Sequence, residues 1–146
     1  LGDVYKRQEE DVALVTLPRI AFDDFLSLLD AIKGNDINLD MISHHFNPDE
    51  TAAASFTLKG SDLKKAEGYI PACTLQKTVR GAAKITAEGA GMEHKSGVAA
   101  DVLSLLRDAG AEVFAITTSE TQISCCIDSK SLPAAEAALK KYYGIK

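Results

Sequence analysis

Leu39-Asp40-Met41-Ile42-Ser43-His44-His45-Phe46, then Asn47-Pro48-Asp49-Glu50, then Ala54-Ser55-Phe56-Thr57-Leu58, is the stretch that decides the fold. The first eight residues are strand-like and the next four are turn chemistry. The last five alternate apolar with polar, the period of two that a half-buried strand requires. Upstream, Val12 to Leu17 reads as a buried strand, and Phe22, Phe25, Leu26, Leu29 and Ile32 fall at helical spacing on one stripe. Gly34 stands where that helix would stop in the left-handed conformation. Downstream, Ser61 can cap a second helix carrying Leu63, Ala66 and Ile70.

The second half repeats this order. Ala83 to Ala87 reads as a strand, and Val98, Val102, Leu103, Leu106 and Ala109 form a helical stripe that Gly110 ends. Val113 to Thr117 is a strand, and Ile123, Cys125 and Ile127 alternate with Ser124 and Cys126. Ser131, followed by Leu132-Pro133, opens a last helix with Ala135, Ala138, Leu139 and Tyr142 on its apolar side. Val12 corresponds to Ala82, Asn38 to Glu112 and Leu58 to Ile127. Two copies are too few for a solenoid. Strand-helix-strand-strand-helix is the ferredoxin-like order: an α+β fold of two modules, residues 11–80 and 81–146, each an antiparallel sheet with both helices on one face.

Each βαββαβ module should close with a fourth strand. The first has a candidate in Thr74 to Arg80; the second has none after its last helix. A sheet short of one strand exposes a row of unpaired backbone groups. Either another chain fills the place, or residues 1–10 return to it, which would insert the first module into the second. Leu1 to Gln8 begins without methionine, and its Tyr5-Lys6-Arg7 run breaks off before the regular pattern. It is expected to be either a non-native or truncated leader, or a native strand whose start lies upstream.

Composition narrows the classes. Of 146 residues, 46% are apolar, enough for a core, and the net charge of −5 offers no basic surface for nucleic acid. No apolar run approaches the ~18 residues that span a bilayer. Three cysteines, two of them adjacent, suit neither a disulfide framework nor a C-x-x-C clamp, so a reducing cytoplasm is the simplest setting. His44-His45 and Cys125-Cys126 lie on strands, where neighbours point to opposite faces and cannot easily share a metal. No cofactor or metal is expected.

Ala87-Glu88-Gly89-Ala90-Gly91-Met92, Ser96-Gly97-Val98-Ala99-Ala100 and Ile116-Thr117-Thr118-Ser119-Glu120-Thr121-Gln122-Ile123-Ser124 together resemble the second ACT module of aspartokinases. Ile37-Asn38-Leu39-Asp40-Met41-Ile42 resembles the matching strand of their first module. The likeness covers roughly Asp11 to Tyr143, and its most specific piece is Thr117 to Ser124. It implies an allosteric sensor that binds lysine or threonine at module interfaces and reports to a separate kinase domain, which phosphorylates the side-chain carboxylate of aspartate with ATP. That kinase domain is not in this sequence, so no catalytic residue is expected. In that family a strand before the first module completes the second.

A free amino acid needs partners for its ammonium and its carboxylate. Backbone N–H groups at a helix start suit the carboxylate, which points to the loops before the two first helices, Arg19 to Asp23 and Met92 to Val98. The candidate effector residues are Phe22, Asp23, Asn38, Leu39, Asp40, Met92, His94, Ser96, Gly97 and Val98. Asp40 could hold the ammonium, Asn38 could donate and accept, and Gly97 would let backbone approach closely. Each also has a plain structural role: a solvated carboxylate, a helix cap, a turn. The sequence departs from the family where many aspartokinases carry Asp-x-Pro-Gly, since Ile20-Ala21-Phe22-Asp23 stands there. At the second strand of the second module it reads Glu112-Val113-Phe114. Lysine against threonine, and the binding module, stay open.

Small modules with an open sheet edge also predict a homodimer. Two rivals remain. One is a free-standing ACT pair regulating a different enzyme or a transporter, which sequence upstream of Leu1 would reveal. The other is an enzyme on a ferredoxin-like dimer using His44 or His94 as acid-base, which would require turnover by the chain alone.

Overall fold

The computed structural model describes residues 4–89 and 97–144. In chain order the elements are β1 (Val4–Ile20), α1 (Phe22–Gly34), β2 (Asp40–Phe46), β3 (Ala52–Lys59), α2 (Leu63–Glu67), β4 (Lys77–Gly89), α3 (Val98–Asp108), β5 (Val113–Thr118), β6 (Gln122–Asp128) and α4 (Leu132–Tyr143). They fall into two compact units: Asp11–Arg80, and Leu1–Glu10 together with Gly81–Lys146. β1 and β4 therefore each supply strand to both units. Each has a left-handed residue where it passes from one to the other, Asp11 at φ 53° and Gly81 at φ 62°.

In the unit Asp11–Arg80, β3 lies between β1 and β2, antiparallel to both, with Val15 opposite Phe56 and Phe46 opposite Ala52. Alternation along the strands sends Val15, Leu17, Ala54 and Phe56 to one face. α1 and α2 cover that face with Phe25, Leu28, Ile32, Leu63 and Ala66, all nearly inaccessible to solvent. The buried stripe of α1 is thus Phe25-Leu28-Ile32, not the expected one: Phe22 and Leu26 are 40% and 44% exposed. Gly34 is the last helical residue, and the left-handed position that ends the helix is Asp36 at φ 56°. Ser61 caps nothing; it lies in a 3-10 turn over Gly60–Asp62 that leads into a five-residue α2.

The other unit repeats the plan. β6 lies between β4 and β5, antiparallel to both, and β1 flanks β4 on its other side. Ile85, Ala87, Cys125 and Ile127 meet Val102 and Leu106 of α3 and Ala135 and Leu139 of α4. α3 ends as its sequence predicts, with Ala109 N–H bonded to the Leu105 carbonyl and Gly110 at φ 83°. Ser131 makes no capping bond to the α4 backbone. Its hydroxyl donates instead to Asp128 Oδ2 at 2.7 Å, while Asp128 Oδ1 accepts from the Glu112 N–H at 2.8 Å. That triangle ties the start of α4 to the end of β6 and the approach to β5.

Candidate functional site

The candidate residues of the unit Asp11–Arg80 separate into two groups. Phe22 and Asp23 open α1, and Asn38, Leu39 and Asp40 follow its far end. α1 has 13 residues, so at 1.5 Å per residue its ends are ~18 Å apart. Within one chain, these groups do not converge on a ligand the size of a free amino acid.

At the start of α1, Phe22 joins an aromatic cluster. Its ring centroid is 5.3 Å from that of His44 and 6.1 Å from that of Phe46. Phe25 stacks on the other side of His44 at 5.9 Å, with planes 6° apart. His44 Nε2 is buried there without a hydrogen-bond partner among the described residues. No side chain caps α1, but Asp23 and Asp24 both sit in its first turn. They already complement the positive end of the helix dipole and oppose a ligand carboxylate there.

At the far end, Asp40 Oδ1 accepts the Met41 N–H at 2.8 Å. Met41 is at φ 46° where the β2–β3 register slips, between Asp40 and Ser43. Asn38 and Leu39 share a groove of about 480 Å³ with Lys33, Asp36 and Ile42. The sequence reading placed neither Lys33 nor Asp36 at a site, because a charge at a helix end ordinarily reads as solvated.

In the other unit, Gly97 precedes α3 at φ 84°, and its carbonyl accepts the Asp101 N–H at 2.9 Å. Among the described residues no side chain caps α3, and Asp101 accepts a 3.2 Å hydrogen bond from the Tyr142 hydroxyl. Val98, expected near an effector, is 7% exposed and packs into the core with Val102 and Leu106. Only its backbone could face a ligand. Met92, His94 and Ser96 lie outside the described residues.

An ACT domain family model matches residues 85–143. The chain is 30% identical to an aspartokinase of Geobacillus stearothermophilus over 141 residues, which is 94% of this chain and 35% of that protein. The Synechocystis aspartate kinase structure superposes with a TM-score of 0.84 at 26% identity, covering 97% of this chain and 27% of that one. The regulatory subunit of aspartate kinase from Thermus flavus superposes at 0.81 and 21% identity, covering 94% and 96%.

The chain resembles the ACT-containing regulatory regions of aspartokinases. It spans about a third of the length of the curated aspartokinases it matches, 35% in the Geobacillus case.

Within this aspartokinase regulatory region the rival chemistries lose ground. His44 is half-buried among aromatic rings and His45 is exposed, the alternation expected of a strand. Burial pushes the Cys125 thiol up to about 12, with Cys126 beside it adding to the shift, and burial pushes Cys126 up to about 11. Neither is an activated thiolate. The aromatic cluster escaped the sequence reading. Its signal was the Phe22-x-x-Phe25 and His44-x-Phe46 spacings, which put four rings on facing sides of α1 and β2.

Proposed function

We propose that the chain is the effector-sensing region of an aspartate kinase, binding lysine and/or threonine and passing its state to a kinase domain that phosphorylates aspartate with ATP in the cytoplasm. The observation that carries this reading is the 94% span of the chain over which it matches the Geobacillus aspartokinase. The first module is inserted into the second, a reading supported by the two stretches, Leu1–Glu10 and Gly81–Lys146, that make one compact unit.

The effector contacts are Phe22, Asp23, Asn38, Leu39 and Asp40 in the first module and Met92, His94, Ser96, Gly97 and the Val98 backbone in the second. Because the two first-module groups stand at opposite ends of α1, a homodimer completes the site by bringing α1 of one copy to β2 of the other. The test is calorimetric titration of lysine and of threonine, with sedimentation of the same samples. Binding by a dimer, weakened by Asn38→Ala, is expected. Absence of heat from either amino acid at millimolar concentration in a dimeric sample would remove the effector assignment.

A second reading is favoured by the Thermus flavus match, which covers 96% of that regulatory subunit. Here the ACT pair acts as a separate subunit on its kinase partner. In either form the chain alone should phosphorylate no aspartate, and a rate above background from pure chain would overturn both.

A further inference from the structure

In the unit of Leu1–Glu10 and Gly81–Lys146, β1 and β4 frame a polar pocket of about 350 Å³, lined by Arg7, Gln8, Glu9, Lys84 and Thr86. Strand alternation puts it there. Ile85 and Ala87 turn to α3 and α4, so Lys84 and Thr86 turn to the other face of the sheet. On that face Thr86 is 3% exposed and lies opposite Ser124 of β6. The volume stands at the lower end of the ~300–1,000 Å³ common to small-ligand sites.

Two donors at this pocket lack acceptors among the described residues. Thr86 Oγ1 and Ser124 Oγ share one hydrogen bond at 2.8 Å. Two hydroxyls carry two donor protons, and that bond uses one. Neither hydroxyl bonds to anything else among the described residues, so one proton is left over where water has little access. With Ser124 as donor of the shared bond, the spare proton is that of Thr86, which lines the pocket. Arg7 is the other donor. Its ion pair with Glu88 and its hydrogen bond to Gln122 both end on Nη2, which leaves the Nη1 and Nε hydrogens unused by the described residues. Lys84 brings a second cation to the same pocket. Glu9 is the exception there, a carboxylate that only accepts.

We propose that this pocket binds hydrogen phosphate. The anion's oxygens accept from the Arg7 guanidinium, the Lys84 ammonium and the spare Thr86 hydroxyl, and the first two bonds are charge-assisted. The one proton that the anion keeps at neutral pH is donated to Glu9. Sulfate has the same shape but no proton to give, so one of its oxygens would stand against the Glu9 carboxylate. The pocket therefore prefers phosphate. Arg7 and Lys84 lie on different strands, so the bound anion also fastens β1 to β4. The site uses none of the effector contacts proposed above and does not rest on that reading.

The test is titration of phosphate, and separately of sulfate, into the full 146-residue chain at constant ionic strength, read by amide chemical shifts and melting temperature. Phosphate should move the amides of residues 7–9 and 84–86 and raise the melting temperature, since it binds the folded form. Sulfate should do both more weakly. Arg7→Gln and Lys84→Gln should each weaken phosphate by about tenfold or more, as loss of a charge-assisted bond requires. Arg7 is exposed, so Arg7→Gln keeps the fold even where Lys84→Gln does not. Glu9→Gln should let sulfate bind as tightly as phosphate, a change that a merely structural role for Glu9 would not produce. No response to phosphate at about 10 mM overturns the proposal. So does equal binding of sulfate by the unaltered chain, or phosphate binding that survives substitution of both cations.

Discussion

Thr86 Oγ1 and Ser124 Oγ lie 2.8 Å apart, directly opposite each other on β4 and β6, and both residues are buried. Each hydroxyl satisfies the other in a place with little access to water. Ser124→Ala should therefore leave Thr86 with an unpaired buried hydroxyl and destabilise the chain by ~1–3 kcal/mol. Removing both hydroxyls with Thr86→Val and Ser124→Ala should recover most of that loss. Denaturant melts of the two single variants and the double variant decide it: additive losses would mean that the pair does not act as a pair.

Gly97 and Gly34 look alike in sequence, each beside the end of a helical stripe, yet they should respond oppositely to alanine. A Cβ meets nothing within 4 Å at either position. Gly97, however, is at φ 84°, where an L side chain is strained, so Gly97→Ala should lose about 1–2 kcal/mol. Gly34 is helical, and Gly34→Ala should be neutral or stabilising by up to ~1 kcal/mol. Thermal melts showing equal effects would contradict this backbone assignment.

This pair shows where the sequence was legible. Turn and stop signals that rest on one residue's backbone freedom read correctly at Gly110, which ends α3, but not at Gly34, because Asp36 could take the left-handed position instead. Period-two alternation placed Phe56, Cys125 and Ile127 on the covered face, since a strand offers only two choices. The α1 stripe was harder. At 3.6 residues per turn Phe22, Phe25, Leu26, Leu28, Leu29 and Ile32 fall within an arc of about 160°, with Leu28 and Leu26 at its two margins, so spacing alone could not say that Leu28 is buried while Leu26 is open. Ser61 and Ser131 looked like helix caps, yet both helices begin after a 3-10 turn. The groove was least legible. Its walls come from α1, the connection after it and Ile42 of β2, residues that only the tertiary fold brings together.

Acid should weaken the chain through Asp128. The Ser131 hydroxyl and then the Glu112 N–H hold its carboxyl below the ordinary aspartate value of 3.8. A lowered folded pKa means the stabilisation is fully present above the unfolded value and is lost as pH falls through the folded one. Asp49 is lowered as well, first by the Thr51 hydroxyl and then by the Thr51 N–H, so Asp128 accounts for part of the effect. Melting temperature against pH should fall below about pH 4 in the wild type and less steeply in Asp128→Asn. Parallel curves would exclude Asp128 as a contributor.

Thiol chemistry should report on the fold. Cys73 is exposed, whereas Cys125 and Cys126 are buried with pKa values of about 12 and about 11. At pH 8 a disulfide reagent should modify Cys73 quickly and the adjacent pair only on unfolding, since the thiolate is the reactive form. Mass spectrometry should find one label on the native chain and all three cysteines labelled in denaturant. Fast labelling of the native pair would mean that β6 opens locally.

Deletion of Leu1 to Gln8 tests whether β1 completes the sheet of the unit it shares with Gly81–Lys146. β1 begins at Val4 and flanks β4, while β6 occupies the other side of β4. Arg7 reaches across with a 3.2 Å ion pair to Glu88 and a 3.0 Å hydrogen bond to the Gln122 side chain. Arg7 is 63% exposed at its side chain, so those polar contacts contribute little by themselves. The backbone ladder matters more, and it tolerates many side chains, so the segment can complete the sheet whatever the origin of its sequence. Without it the edge of β4 presents unpaired N–H and C=O groups, which invite pairing with another chain. The truncated chain should melt lower than the full chain and show concentration-dependent association by light scattering. Substituting Arg7→Ala in the full chain should do neither. A truncated chain with the same melting temperature and the same size would show that the edge of β4 is protected without these residues.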